Sequence, residues 1–283
     1  RANVGKAGAR IDTNGFALPT NQAPPAPAGS GITSIPVLAG GENHLAAPFS
    51  AITGGGGDGA CALAEVDGGS IRAITITHPG NGYTSAPEVT AIGGGSGTGL
   101  KLGTPVLAPN AGGGLVKTGA GTLTLGGSNT YPGVTRIEQG TLAITGRLAG
   151  SADVSTGACL GGGGIIEGSL ETASGSSIAI PADGALKIHG NAAVHGTFVI
   201  EATPSGSPEG GLQVGGRLDL TGSTLVVKSG KTPVSGKTRI IASYGSLLGA
   251  FPPDAEIPEG YALDYNFKGL KQIALVAKSS DAE

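Results

Sequence analysis

The sequence predicts an all-β fold, a right-handed parallel β-helix or solenoid with an N-terminal Gly-rich β-repeat module. Three observations lead there. Glycine is extreme, 55 of 283 residues beside 18 prolines, with no methionine and no tryptophan. Hydrophobic residues still make up 39 % and the formal charge is only −3, whereas disordered chains are poor in apolar residues and strongly charged. The apolar residues are Ile, Leu, Val and Ala in short alternations broken by Gly and Thr, and no Gly-free window repeats at helical spacing.

Taken in chain order, residues 1–30 read as a strand-like stretch, Ala9 to Leu18, followed by a Pro- and Ala-rich linker from Pro19 to Ser30. Its apolar side chains Ile11, Phe16 and Leu18 make it a candidate assembly arm, able to add a strand to a neighbouring molecule. Residues 31–108 form a module of two copies thirty-nine residues apart: Ile35 and Ile74, Val37 and Ile76, Ala47-Pro48 and Ala86-Pro87, Cys61 and Leu100, Leu63 and Leu102. A unit of that size cannot bury its own apolar face, so the copies are expected to stack and share a core.

Residues 109–283 change to apolar-x-apolar triplets flanked by turn residues, such as Leu123-Thr-Leu125, Leu142-Ala-Ile144, Ile178-Ala-Ile180, Phe198-Val-Ile200 and Leu225-Val-Val227. One inward pair per strand, then a turn, suits a coiled sheet with a narrow core. Tyr261 to Phe267 and Gln272 to Ala277 alternate more regularly and predict a closing hairpin.

The stretch from Gly112 to Ile144 resembles the autotransporter-associated β-strand repeat of bacterial passenger proteins. The residues that carry the resemblance are Lys117-Thr118-Gly119, Gly121-Thr122-Leu123, Asn129-Thr130-Tyr131 and Gly140-Thr141-Leu142, with Pro132 where a hydroxyl residue is usual. The resemblance implies a parallel β-helix exported to the cell surface or beyond, and it implies no chemistry, since such a scaffold carries many functions. The chain begins at Arg1, which is read as a processed product. No run approaches the roughly 20 apolar residues of a membrane helix, and no outer-membrane barrel is read after residue 277.

Chemistry is sparse. Cys61 and Cys159 could form one disulfide, sit singly as small apolar residues, or pair between molecules. His44, His78, His189 and His195 lack the spacing of a metal set, so no metal and no cofactor is expected. The run Gly54 to Gly57 before Asp58 reads as turn glycine. Asp254, Glu256 and Glu259 lie in a Pro-rich loop that reads as a solvated connector. The basic residues Lys228, Lys231, Lys237 and Arg239 are interleaved with Ser, Thr, Gly and Pro and form no nucleic-acid footprint. The expectation is therefore an extracellular structural protein and not an enzyme. Its expected partner is itself, through solenoid ends and the N-terminal arm, to build a fibre or layer. The alternatives are a monomeric adhesin or display stalk meeting cell-surface glycan, and a glycan-active β-helix enzyme.

Overall fold

Pairing between distant segments decides the architecture. The computed structural model describes residues 4–20, 28–202, 210–229 and 238–278, and these divide into two units, Arg1–Ala26 with Gly112–Glu283, and Pro27–Ala111.

The first unit is a parallel β-helix. Its first rung is β1 (Ala9–Asp12) and β2 (Leu18–Thr20). The chain then leaves for the second unit, made of β3 (Ser30–Ser34), β4 (Val37–Glu42), β5 (Phe49–Thr53), β6 (Asp58–Asp67), β7 (Ser70–Asn81), β8 (Glu88–Ile92), β9 (Thr98–Leu102) and β10 (Val106–Pro109). It returns for six rungs of three short strands. These are β11 (Leu115–Thr118), β12 (Thr122–Leu125) and β13 (Ser128–Asn129); β14 (Thr135–Ile137), β15 (Thr141–Ile144) and β16 (Arg147–Leu148); β17 (Ala152–Val154), β18 (Cys159–Gly161) and β19 (Ile165–Ile166). The last three are β20 (Leu170–Thr172), β21 (Ser177–Ile180) and β22 (Ala185–Ile188); β23 (Ala192–Val194), β24 (Thr197–Ala202) and β25 (Gly211–Val214); β26 (Arg217–Asp219), β27 (Thr224–Ser229) and β28 (Arg239–Ser243). β29 (Ser246–Leu248), β30 (Tyr261–Asp264) and β31 (Gln272–Ala277) close the end.

Corresponding strands of successive rungs form three sheets, led by β1, β2 and β13. Stacking in register lines up like residues. One column runs Leu123, Leu142, Leu160, Ile178, Phe198, Leu225, and every member is at most 1 % exposed. Burying each such side chain contributes about 1.5–3 kcal/mol, so the core is a set of vertical ladders along the axis. Both apolar members of the triplets named above face inward.

A corner repeats between the third and first sheets. The Ser151 hydroxyl accepts the Ser169 N–H at 3.0 Å, the Ser169 hydroxyl accepts the Asn191 N–H at 3.2 Å, and Asn191 Oδ1 accepts the Arg217 N–H at 2.9 Å. Gly190 shows why glycine precedes these residues, since a Cβ there would lie 2.5 Å from the Ser169 hydroxyl. Near the C-terminus, β31 turns antiparallel against β28 and pairs with β30. Phe198, Phe251 and Tyr265 stack over the core end. The Pro-rich loop is more than a connector: Glu256 donates its N–H to Leu225 and accepts that of Val227, covering the edge of β27.

The second unit corrects the expectation of stacked copies. Its strands nest antiparallel, β3 with β10, β4 with β9, β5 with β8 and β6 with β7. Ala51 pairs with Thr90, which are equivalent positions of the two copies, so the repeat is arranged about a local two-fold axis at that pair. The copies do share a core, built on Ile32, Ile35, Ala62 and Tyr83, through antiparallel zipping rather than solenoid stacking.

Two further expectations change. The expected boundaries 1–30, 31–108 and 109–283 give way to an inserted unit of 27–111 within a helix that includes the N-terminal segment. The segment bearing Ile11, Phe16 and Leu18 is no free arm but the first rung of the helix, paired along one edge, Ile11 with Lys117 and Leu18 with Leu123, with the other edge of β1 and β2 open. Residues 21–27 of the expected linker, and Lys231 and Lys237, lie outside the described residues.

Candidate functional site

The three sheets bring polar side chains into the apolar columns at the start of the helix. Lys117 stands between Ile11 and Ile137 in the column that continues to Val154, Thr172 and Val194, and it is fully buried. A buried ammonium is tolerable only when its donors are used. Its Nζ donates to the Thr13 hydroxyl (3.0 Å) and to the carbonyls of Thr118 (3.0 Å), Gly119 (2.6 Å) and Gln139 (2.9 Å). These acceptors belong to the corners after β1, β11 and β14, so one cation ties three successive rungs. Burial lowers its pKa below the ordinary lysine value, with the Asp12 charge acting the other way.

Asn129 heads the column Leu148, Ile166 and Ile188 of the third sheet. Its amide donates to the carbonyls of Gly126 (3.2 Å) and Arg147 (3.0 Å). Tyr131 is fully buried, and its hydroxyl meets that of Thr135 at 2.7 Å. Burial pushes the phenol up to about 12, the Thr135 hydrogen bond opposing. Lys117, Asn129 and Tyr131 thus hold backbone and side-chain partners inside the helix, where they join rungs rather than face a substrate.

The other titratable residues are spread out. Glu167 bridges Arg147 (3.0 Å) and His189 (2.7 Å) along the third sheet. His195 Nδ1 lies 2.7 Å from the Thr221 carbonyl, and His78 Nδ1 accepts the Gly80 N–H. His44 is buried in the second unit. No group of three His, Cys, Asp or Glu suited to a metal ion occurs among the described residues. Arg239 is buried and donates to the Ala182 carbonyl at 2.8 Å.

Cys61 and Cys159 are both free and fall in different units, so the intramolecular disulfide held open above is not formed. Nor is either fully buried: Cys61 is exposed on β6 and Cys159 is half-buried at the start of β18. Ile11 packs against the edge of the core, Phe16 is 71 % exposed in the turn after β1, and Leu18 is 43 % exposed in β2. What sequence reasoning missed was the depth of Lys117 and Asn129. Their fixed places in the repeat motif were the available signal.

Stacked short strands, apolar ladders and buried polar corner residues define a β-helical repeat protein. The passenger-associated-transport-repeat matches residues 115–144, the stretch holding all three buried polar residues. An extracellular serine protease of Serratia marcescens is 44 % identical over 77 residues, covering 27 % of this chain and 7 % of that protein. This chain thus carries an autotransporter-associated repeat, and the two matches indicate a secreted or cell-surface protein. Its shared segment spans a small part of that much longer relative.

Proposed function

We propose that the chain is the stalk-and-display portion of a surface passenger, in which the β-helix is a rigid scaffold, the 27–111 unit is the part displayed, and neither performs catalysis. One observation carries this reading. The unit enters between β2 and β11, yet the strands on both sides keep their rung pairings, Ala9 with Leu115 and Leu18 with Leu123. An insertion whose own two ends lie side by side, the Asn110 N–H donating to the Gly29 carbonyl at 2.9 Å, adds only loop-closure entropy, which grows slowly with length. Absence of catalysis is argued from the histidines. His189, His195 and His78 meet a carboxylate, a carbonyl and a backbone N–H in turn. Acyl transfer instead needs a hydroxyl or thiol held against the base. The protease activity in the relative's name remains that protein's.

A second reading, end-to-end assembly into a fibre, is favoured by the first rung. β1 and β2 are edge strands of their sheets, and an open edge offers backbone groups to a further strand.

The test replaces residues 28–111 by a short Gly/Ser linker in the surface-displayed chain. The rungs are expected to stay protease-resistant while attachment of displaying cells to glycan-coated surfaces or to neighbouring cells falls at least tenfold. Unchanged attachment, or rungs that collapse without the unit, would sink the display reading.

A further inference from the structure

The sheet of the second unit, in the order β7-β6-β5-β8, has a core face and an outward face, and the outward face breaks the usual rule of polar residues toward water. Phe49 of β5 pairs with Leu63 of β6 on one side and with Ile92 of β8 on the other. Directly paired residues project to the same face. The three side chains are 69 %, 63 % and 56 % exposed, and they form one apolar row across three adjacent strands.

The fold itself does not require apolar residues there. By the local two-fold axis, the Phe49–Ile92 pair at one end of the β5–β8 ladder corresponds to the Glu88–Thr53 pair at the other, and that end is polar and exposed. Leu63 corresponds to Leu102, which instead packs against the unit's core. The same scaffold therefore accepts polar residues at the ladder end and a packed leucine in the β6 position. An apolar row exposed against such an internal comparison marks a contact surface.

We propose that this outward face, centred on Phe49, is a contact surface for the same face of a second copy of the chain. The inference rests on the unit being the displayed part of the protein, and it names the partner. The row offers no charged or amide group to take sugar hydroxyls. The nearest acids on this sheet, Glu65 and Glu88, oppose an anionic lipid surface, and Glu65 already accepts the Thr75 hydroxyl. A second copy presents matching chemistry. Because Glu88 lies at the ladder end opposite Ile92, two rows crossing about a two-fold axis meet with that acid left in water.

Area sets the strength. The exposed parts of the three side chains amount to roughly 400 Å² per copy, so two rows cover roughly 800 Å², below the ~1,200 Å² at which stable complexes begin. The contact is then weak between free molecules and becomes effective where many copies stand on one surface and raise each other's effective concentration.

Cys61 reports on the contact. It lies two residues before Leu63 on β6, and both are exposed while Ala62 between them is buried, so the thiol borders the row on the same face. The experiment uses the full chain carrying Cys159→Ser and a short bis-maleimide cross-linker over a range of protein concentrations. Covalent dimer through Cys61 is expected to rise with concentration. It should fall at least tenfold in Phe49→Glu and in Ile92→Thr, the latter copying the residue at the equivalent site, Thr53. Leu38→Glu, at a leucine of β4 that is 70 % exposed outside the row, should leave it unchanged. Circular dichroism and melting of each variant separate misfolding from lost contact. Cross-linking no better than in urea, or undiminished in folded Phe49→Glu and Ile92→Thr, overturns the proposal and assigns the row to a different partner. Either result leaves the display reading to its own truncation test.

Discussion

Replacing Lys117 by Met tests whether one buried cation ties the opening rungs together. The change keeps most of the side-chain volume but removes donors to the Thr13 hydroxyl and to the Thr118, Gly119 and Gln139 carbonyls. Thr118 O keeps the Thr13 N–H as a donor, so the loss falls chiefly on Gly119 and Gln139. Each partly buried carbonyl left without its donor costs about 1–3 kcal/mol. Relief of the ammonium's desolvation, the cause of its lowered pKa, offsets part of that, leaving a net loss of about 3 kcal/mol. In a solenoid each rung touches only its neighbours, so the loss should be local. Hydrogen exchange read by mass spectrometry should show amides of β1, β11 and β14 exchanging roughly 100-fold faster, at tenfold per 1.4 kcal/mol. Those of β24 to β28 should change less than about threefold on the same scale. Uniform acceleration along the whole helix, or none in the first rungs, would refute the reasoning.

Two further perturbations follow from the same geometry. The Tyr131 phenol stands at about 12 in the folded chain against 10.0 ordinarily, so the unfolded chain releases its proton first and the folded state binds more protons across that window. Stability should fall as pH climbs from 10 to 12, by about 3 kcal/mol in all. Because Tyr244 and Tyr265 are also raised by burial, the measure is the difference between the parent and Tyr131→Phe in urea titrations at each pH; a difference that does not vary with pH would contradict the assignment. Asn191→Ala removes the acceptor of the Arg217 N–H and should cost about 1 kcal/mol, seen as faster exchange at Arg217 with Ser169 unaffected; equal acceleration at Ser169 would mean the corner is not a chain of separate clips.

What was legible in the sequence depended on how many inward residues a strand carries. β12, β15, β21, β24 and β27 each bring two buried residues within three positions, and a period of two is visible at that length. The third sheet is opaque in its first three strands because Ser128–Asn129, Arg147–Leu148 and Ile165–Ile166 are two residues long with one buried residue apiece. The first rung was misread for a different reason. Ala9 to Leu18 looks like strand, but its partners begin at Leu115, beyond the inserted unit, and parallel pairing leaves no local turn to betray the distance. The thirty-nine-residue repeat was visible as periodicity, whereas its nested antiparallel course depends on pairings such as Cys61 with His78 that periodicity does not encode. For the candidate site, Lys117, Asn129 and Tyr131 were visible as a motif, but their burial follows from register with Ile137, Leu148 and the Thr135 hydroxyl.

The position of those polar residues connects the motif to the insertion. A helix interrupted after two strands of its first rung must still hold that rung to the next, although the second unit separates them in sequence. Apolar stacking alone is weak there: Ile11 and Leu18 are only partly covered, and β13 begins its sheet with no strand before it among the described residues. Lys117 supplies directional bonds at this place, reaching Thr13 before the insertion and Gln139 in the rung after its own. Asn129 likewise fixes the first strand of the third sheet to Arg147 of the next. Such bonds do not slide as a hydrophobic ladder can, so they set the register at the seam where the chain departs and returns. Below the seam the ladders are mostly apolar, with Thr172 on β20 and Arg239 on β28 as buried polar members among the described residues. The polar residues of the repeat thus lie in the rungs directly after the insertion, where the chain returns to the helix and its register must be set again.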